Sequence, residues 1–193
     1  MANTSGLALP ASGSKSLRVE DRATVRELLL LAALGAAAVL IHAATRGRLD
    51  LAPGYQGVWW IAALIAGRKL SRFRWAGMAV AAGAAGTSML PVWGFGDPLR
   101  WLTYFLAALT VDALFLALMS HQIPIWLFAV IGGLAHMTKP LMRVVIGAAT
   151  GTFYDSLMWG VAYPAATHFV FGFVGAFIGV GAFIAIRKRR PRN

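Results

Sequence analysis

The sequence has 193 residues, of which 59% are apolar and 13% are charged. Soluble domains have roughly 45–50% apolar and roughly 25% charged residues, so a soluble fold of this length would leave much apolar surface in water. The net charge of +11 does not indicate nucleic-acid binding, because the basic residues lie at the edges of apolar runs. We therefore expect a membrane protein that contacts lipid and binds no nucleic acid.

Six apolar segments predict membrane-spanning helices. They cover residues 24–44, 58–67, 75–92 and 101–119, a stretch that begins near residue 124, and residues 165–186. The hydrocarbon core is about 30 Å thick, so a spanning helix needs roughly 20 mostly apolar residues, and the second segment is short by this measure. We predict an all-α integral membrane protein with six transmembrane helices in one compact bundle over residues 24–187. An amino-terminal tail, 1–23, precedes it and a basic tail, 188–193, follows it.

The distribution of lysine and arginine predicts the orientation. Basic residues cluster in three places: the approach to the first segment, the loop 68–74 and the carboxyl-terminal tail. These three places lie on one side of the membrane only if the number of spans is even, and the positive-inside rule makes that side cytoplasmic. Both termini are therefore predicted to be cytoplasmic. Seven spans would require a break at Pro140, which would leave a piece too short to cross.

Four stretches of the sequence carry a resemblance to a known family. In chain order they are TVRELLLLAALGAAAVLIHA, the loop RKLSRFR, the loop WGFGDP and the closing HFVFGFVGAFIGVGAFIAIRKR. With this order and this length, residues 24–190 resemble the S components of energy-coupling factor transporters, which are small six-helix membrane proteins.

The resemblance implies a specific function. An S component captures a small vitamin-like molecule at the outer face of the bacterial cytoplasmic membrane and delivers it through a transmembrane scaffold subunit that two ATPases drive. Small residues of the first helix would make the contact with the scaffold, namely Ala32, Ala33, Ala36 and Ala37. The chain has no GxxxxGK[ST] phosphate loop, so ATP hydrolysis would come from a partner. We expect no enzyme activity, no catalytic residue and no cofactor.

Three ionisable residues in the fifth segment are the first candidates for a substrate site. His136, Lys139 and Arg143 share one helix face beside Pro140. An ionisable group in a span costs about 2.5–3.5 kcal/mol on insertion scales, so its default interpretation is functional. One interpretation is a cationic cavity wall for a carboxylate, a phosphate or an electron-rich ring. The other is that the two cations extend to the outer headgroups.

Five further residues near the predicted outer surface complete the candidate substrate site: Trp93, Asp155, Trp159, Tyr163 and His168. Their aromatic rings would either stack on a flat ligand or belong to the aromatic belt of the membrane interface. The carboxylate of Asp155 would neutralise a cation of the fifth segment.

Other polar and aromatic residues favour structural interpretations. Trp59, Trp60 and Trp101 are best explained by the interfacial belt. Asp112 and His136 would either meet as a structural pair or be spaced along a substrate path.

A metal site is not expected. The histidines lie on different helices and at different depths, with no H-x-x-x-H spacing: His42, His121, His136 and His168. The alternative to a substrate-capturing subunit is a stand-alone permease of an unrelated type, or a membrane scaffold without a ligand.

Overall fold

The computed structural model describes residues 20–45, 52–93, 95, 97, 99–118 and 124–189. Its six α-helices are α1 (Val25–Thr45), α2 (Gly57–Leu70), α3 (Ala76–Ser88), α4 (Arg100–Leu118), α5 (Ile125–Thr150) and α6 (Ala162–Arg189). Short 3-10 turns lie at Pro91–Trp93 and Asp155–Leu157. Over these ranges the only β-type pairing is one isolated bridge between Glu20 and Phe73. The prediction of an all-α fold is therefore confirmed for the described residues.

Four of the helices are long and apolar enough to cross a membrane, namely α1, α4, α5 and α6. This supports the coarse prediction of a multi-pass membrane protein. The other two, α2 and α3, have 14 and 13 residues. At about 1.5 Å per residue they are only about 20 Å long, which is less than a spanning helix needs by itself.

The short helix α2 lies at the centre of the bundle. Every residue from Trp60 to Arg68 is buried, and α2 packs against α1, α3, α5 and α6. A helix that is apolar on all sides lies either in a protein core or in lipid, and the burial of these residues by neighbouring helices places α2 in the core. Its shortness is therefore consistent with burial in protein rather than exposure to lipid.

Close approach of the helix backbones explains much of the glycine content. A Cβ atom at Gly83 of α3 would overlap the carbonyl group of Ala32 on α1. A Cβ atom at Gly175 of α6 would lie 2.6 Å from the carbonyl oxygen of Val58 on α2. Small residues let neighbouring helices come this near, which is the usual packing mode in membranes.

The fifth helix is continuous through Pro140. It ends at Gly151, which has a φ of +70°, the left-handed conformation that commonly terminates a helix. The fifth predicted span is therefore one helix, and the structure does not divide it at the proline.

A buried ion pair ties three helices together at the end of the bundle where α2 ends and α3 begins. Arg68 Nη1 lies 3.3 Å from Asp112 Oδ1, and the two side chains are 1% and 0% exposed. The backbone N–H groups of Gly77 and Met78 each donate to the Asp112 carboxylate at 3.0 Å. The interpretation of Asp112 and His136 as a structural pair is wrong, because the partner of Asp112 is Arg68.

Candidate ligand-binding cavity

A cavity of about 280 Å³ opens at the opposite end of the bundle. Its walls come from the end of α1, the turn before α2 together with the first turn of α2, the first two turns of α4, the middle of α5, the 3-10 turn at Asp155–Leu157 and the second turn of α6. Six chain segments therefore meet around one space.

The polar wall of the cavity is one face of α5. His136, Lys139 and Arg143 all line the cavity, and His168 of α6 lies beside them. Their spacing of three and four residues places them on one stripe of the helix. The structure directs this stripe into the cavity rather than towards lipid headgroups. Their role in binding a ligand stays a prediction.

Arg143 is held by groups from two loops. Its Nη1 donates to the Ser156 hydroxyl at 2.9 Å, and its Nη2 lies 3.4 Å from Asp97 Oδ2. The carboxylate beside this cation is thus that of Asp97, whereas Asp155 does not line the cavity. Within the described ranges, Arg143 Nε is buried without a hydrogen-bond partner.

Lys139 is half-buried between Arg143 and the two histidines. Among the described residues, no hydrogen bond or ion pair reaches its ammonium group. A cation that lines a cavity in this state is available to a ligand.

The two histidines have defined proton positions. His136 Nε2 lies 3.0 Å from the carbonyl oxygen of Gly54, and His168 Nδ1 lies 2.7 Å from that of Pro164. A carbonyl oxygen only accepts hydrogen bonds, so these two nitrogens carry the protons. In the neutral rings, the acceptors are then His136 Nδ1 and His168 Nε2. The ring centroids are 4.7 Å apart.

Two glycines allow the turn before α2 to approach these rings. Gly54 has a φ of +95°, and a Cβ atom there would lie 2.8 Å from His168 Nδ1. A Cβ atom at Gly57 would overlap the imidazole ring of His136. The turn can therefore cover the histidines only because both positions lack a side chain.

The sequence interpretation missed a second polar group that lines the cavity. Arg100 Nη2 lies 3.0 Å from His42 Nε2, and Arg100 Nε donates to the Tyr104 hydroxyl at 3.2 Å. The four-residue spacing of Arg100 and Tyr104 at a helix start was the one available signal. No sequence signal indicated the contact of Arg100 with His42, which lies 58 positions away.

The aromatic wall of the cavity is formed by Trp60 and Tyr104. Their rings meet edge to face with centroids 4.8 Å apart. Trp60 is only 6% exposed and lines the cavity. The belt interpretation is therefore wrong for Trp60, because a belt residue faces the membrane interface.

The remaining candidates do not line the cavity: Trp93, Asp155, Trp159 and Tyr163. Trp159 is 77% exposed and Tyr163 is 48% exposed, as expected of rings at a membrane interface. Trp93 is half-buried in the 3-10 turn before α4. The structure thus brings His136, Lys139, Arg143 and His168 together and leaves the aromatic candidates outside.

The site is built from cations, imidazoles and aromatic rings. Within the described ranges, no group of three or more His, Asp or Glu residues is placed to hold a metal ion, and His121 lies outside these ranges. No family model, no curated protein and no solved structure matches the chain. Any assignment of function therefore depends on the cavity and on the membrane character of the fold.

Proposed function

We propose that this protein is the substrate-binding membrane subunit of a micronutrient uptake system, an S component of the energy-coupling factor type. The cavity carries the proposal, because it holds two cationic side chains inside an apolar helix bundle. Among the described residues, the Lys139 ammonium group has no hydrogen-bond or ion-pair partner, and Arg143, although paired with Asp97, keeps a buried Nε without an acceptor. Cations are retained at such positions when something stabilises them, and a captured ligand would do so. The ligand would be a small vitamin-like molecule that enters from the outer face.

Contacts of the turn between α2 and α3 support six membrane crossings. The Ser71 hydroxyl in this turn donates to Glu27, in the first turn of α1, at 2.5 Å. The turn before α2 instead contacts His136, at the cavity end. The helix α2 thus connects the two ends of the bundle. Between Glu27 and His42, α1 rises about 22 Å, which a helix as short as α2 can match.

The charge distribution supports cytoplasmic termini. The lysines and arginines that the structure describes are numerous at the Arg68 end of the bundle: Arg22, Arg26, Arg68, Lys69, Arg72, Arg74, Arg187, Lys188 and Arg189. At the cavity end there are three: Arg100, Lys139 and Arg143. By the positive-inside rule, the cavity would open to the outside of the bacterial cytoplasmic membrane.

The small residues of α1 provide a surface for a scaffold subunit. Ala33 and Ala37 are exposed one helical turn apart, so another helix could approach there closely. Ala32 and Ala36 are partly covered, and Ala32 is used against Gly83 of α3. The scaffold and two ATPases would then supply the energy for release of the substrate.

Native mass spectrometry of the detergent-purified protein tests this function. We expect a retained small molecule in the wild-type protein and its loss in Lys139→Met, while the matched variant Lys188→Met retains it. Co-expression with candidate scaffold and ATPase subunits should give a complex. A protein with no retained compound and no partner would instead fit the membrane scaffold without a ligand, and substrate flux without ATPases would fit a stand-alone permease.

A further inference from the structure

We infer that the ligand is a compact organic oxyanion, a carboxylate or a phosphate, whose acidic group lies between Lys139 and Arg143 and whose flat part packs beside Trp60 and Tyr104. The inference rests on the proposed function, because it names the chemical class that the same cavity would take.

The residues that line the cavity carry an excess of positive charge. Three cations line the cavity, Arg100, Lys139 and Arg143, and in the described part of the chain one carboxylate, Asp97, is ion-paired with one of them, Arg143. Three positive charges less one negative charge leave an excess of two. Uncompensated charge inside a membrane protein is unfavourable, so a bound group with one or two negative charges would complete the site.

The positions of the donors are the second argument. The Lys139 ammonium group and Arg143 Nε have no hydrogen-bond acceptor among the described residues. The other two Arg143 nitrogens are already oriented by Ser156 and Asp97, which fixes the guanidinium plane. An oxyanion would accept charge-assisted hydrogen bonds from both residues, and such bonds are roughly twice as strong as neutral ones.

Size and shape limit the rest of the ligand. The cavity volume is about 280 Å³. It lies just under the roughly 300–1,000 Å³ of pockets for drug-sized molecules. The cavity is therefore large enough for a single ring with an acidic substituent. The Trp60 and Tyr104 rings provide the apolar wall for such a ring.

A matched pair of probes separates charge from shape. Benzoate and benzamide have nearly the same size, but only benzoate is an anion; inorganic phosphate serves as a ring-free anion. We would measure thermal unfolding of the washed protein in detergent with each probe at millimolar concentration. We expect benzoate to raise the unfolding midpoint of the wild-type protein by a few degrees, phosphate to raise it less, and benzamide to leave it unchanged.

Two variants with the same substitution locate the effect. Lys139→Met should raise the midpoint of the ligand-free protein, because it removes an uncompensated cation, and should weaken benzoate binding at least tenfold. Lys188→Met removes an exposed lysine at the other end of the bundle and should behave like the wild type in both respects. A structural role for Lys139 would instead lower the ligand-free midpoint.

Several outcomes would overturn the inference: equal stabilisation by benzamide and benzoate, no stabilisation by any anion, a lower ligand-free midpoint for Lys139→Met, or an undiminished benzoate response in that variant. Native mass spectrometry separates this failure from failure of the proposed function. A retained neutral compound would leave the substrate-binding function standing and reject the anion. With no retained compound and no response to any probe, both proposals would be wrong.

Discussion

The close approach of His136 to the start of α2 requires a glycine at position 57. In Gly57→Ala, the new methyl group would overlap the imidazole ring, so the ring or the turn must move and the hydrogen bond to Gly54 would be lost. We expect a lower unfolding midpoint and weaker ligand binding. The control is Gly181→Ala, whose methyl group would enter open space in a helix, where alanine is favoured by about 0.5–1 kcal/mol. Equal midpoints for the two variants would contradict this account of the turn.

A comparison of Trp60 with Trp159 tests which tryptophan contributes to the ligand site. Trp60→Leu should weaken ligand binding at least about twofold to tenfold, because it removes the ring, and an aromatic contact contributes about 0.5–1.5 kcal/mol beyond the area it buries. Trp159→Leu should leave the affinity unchanged, since Trp159 is exposed and outside the cavity. Calorimetry on the two variants checks this. If the Trp159 variant lost affinity and the Trp60 variant did not, the ligand site would instead include the loop before α6.

At the level of single residues, the sequence predicts which side chains lie together when they belong to one face of one helix. His136, Lys139 and Arg143 follow from their spacing, because a helix places such positions on one stripe. The pairing of Arg100 with His42 does not follow, since it depends on how α1 and α4 pack. The burial of Trp60 does not follow either, because the sequence pattern around a tryptophan near a helix end is the same whether the ring faces lipid or a cavity.

The three-helix junction around Asp112 gives a prediction at the scale of elements. Removing one partner of a buried ion pair typically costs about 3–5 kcal/mol, so Arg68→Met and Asp112→Leu should each lower the free energy of unfolding by about that much. The double variant should lose less free energy of unfolding than the two single variants lose in total. A double-mutant cycle measures this difference.

An exposed ion pair provides the control for this cycle. Arg72 and Glu20 lie 3.8 Å apart with 71% and 52% of their side chains exposed. Such a pair contributes about 0–1 kcal/mol, so Arg72→Met should change stability little. If Asp112→Leu were as well tolerated as Arg72→Met, the junction would not stabilise the fold.

The two sides of α1 should respond differently to a large side chain. Gly83→Leu should disrupt the contact of α3 with Ala32 and lower the unfolding midpoint. Ala33→Trp should leave the midpoint and ligand binding intact, because Ala33 is exposed, while it blocks capture of the scaffold subunit. Thermal unfolding and co-purification measure these effects. Normal scaffold capture by Ala33→Trp would show that the exposed small residues face lipid only.

Helix boundaries were predictable where charges or prolines mark them. The first, fourth and sixth helices begin within three residues of their predicted starts. The third was predicted over 75–92 but ends at Ser88, because Pro91 disfavours helical geometry in the residue before it and the chain continues as a 3-10 turn. Pro140 has no such effect on α5. Sequence alone does not separate these two prolines, since neighbouring helices determine whether a proline is accommodated.

At the scale of the whole molecule, the two ends of the bundle differ in chemistry. The end with the cavity has three cations around an open space, while the Arg68 end has more basic residues, an internal ion pair and Lys69 over the ring of Phe128 at 3.9 Å. This asymmetry was visible in the sequence as charge clusters, but the cavity was not, because it forms only where six chain segments meet. By the positive-inside rule, this asymmetry predicts that the Arg68 end faces the cytoplasm.

Orientation and span number can be measured together, because the natural sequence has no cysteine and single cysteines can be introduced. Leu70→Cys lies at the end of α2, and Met158→Cys lies in the exposed loop before α6. With six spans and cytoplasmic termini, a membrane-impermeant thiol reagent should label Met158→Cys in intact cells. It should label Leu70→Cys and Asn193→Cys only after the membrane is opened. If Asn193→Cys were labelled in intact cells and Met158→Cys were not, the true orientation would be the reverse of the predicted one. If Leu70→Cys were labelled from outside while Asn193→Cys stayed protected, α2 would not cross, and the cavity and the Arg68 junction would not lie on opposite sides of the membrane.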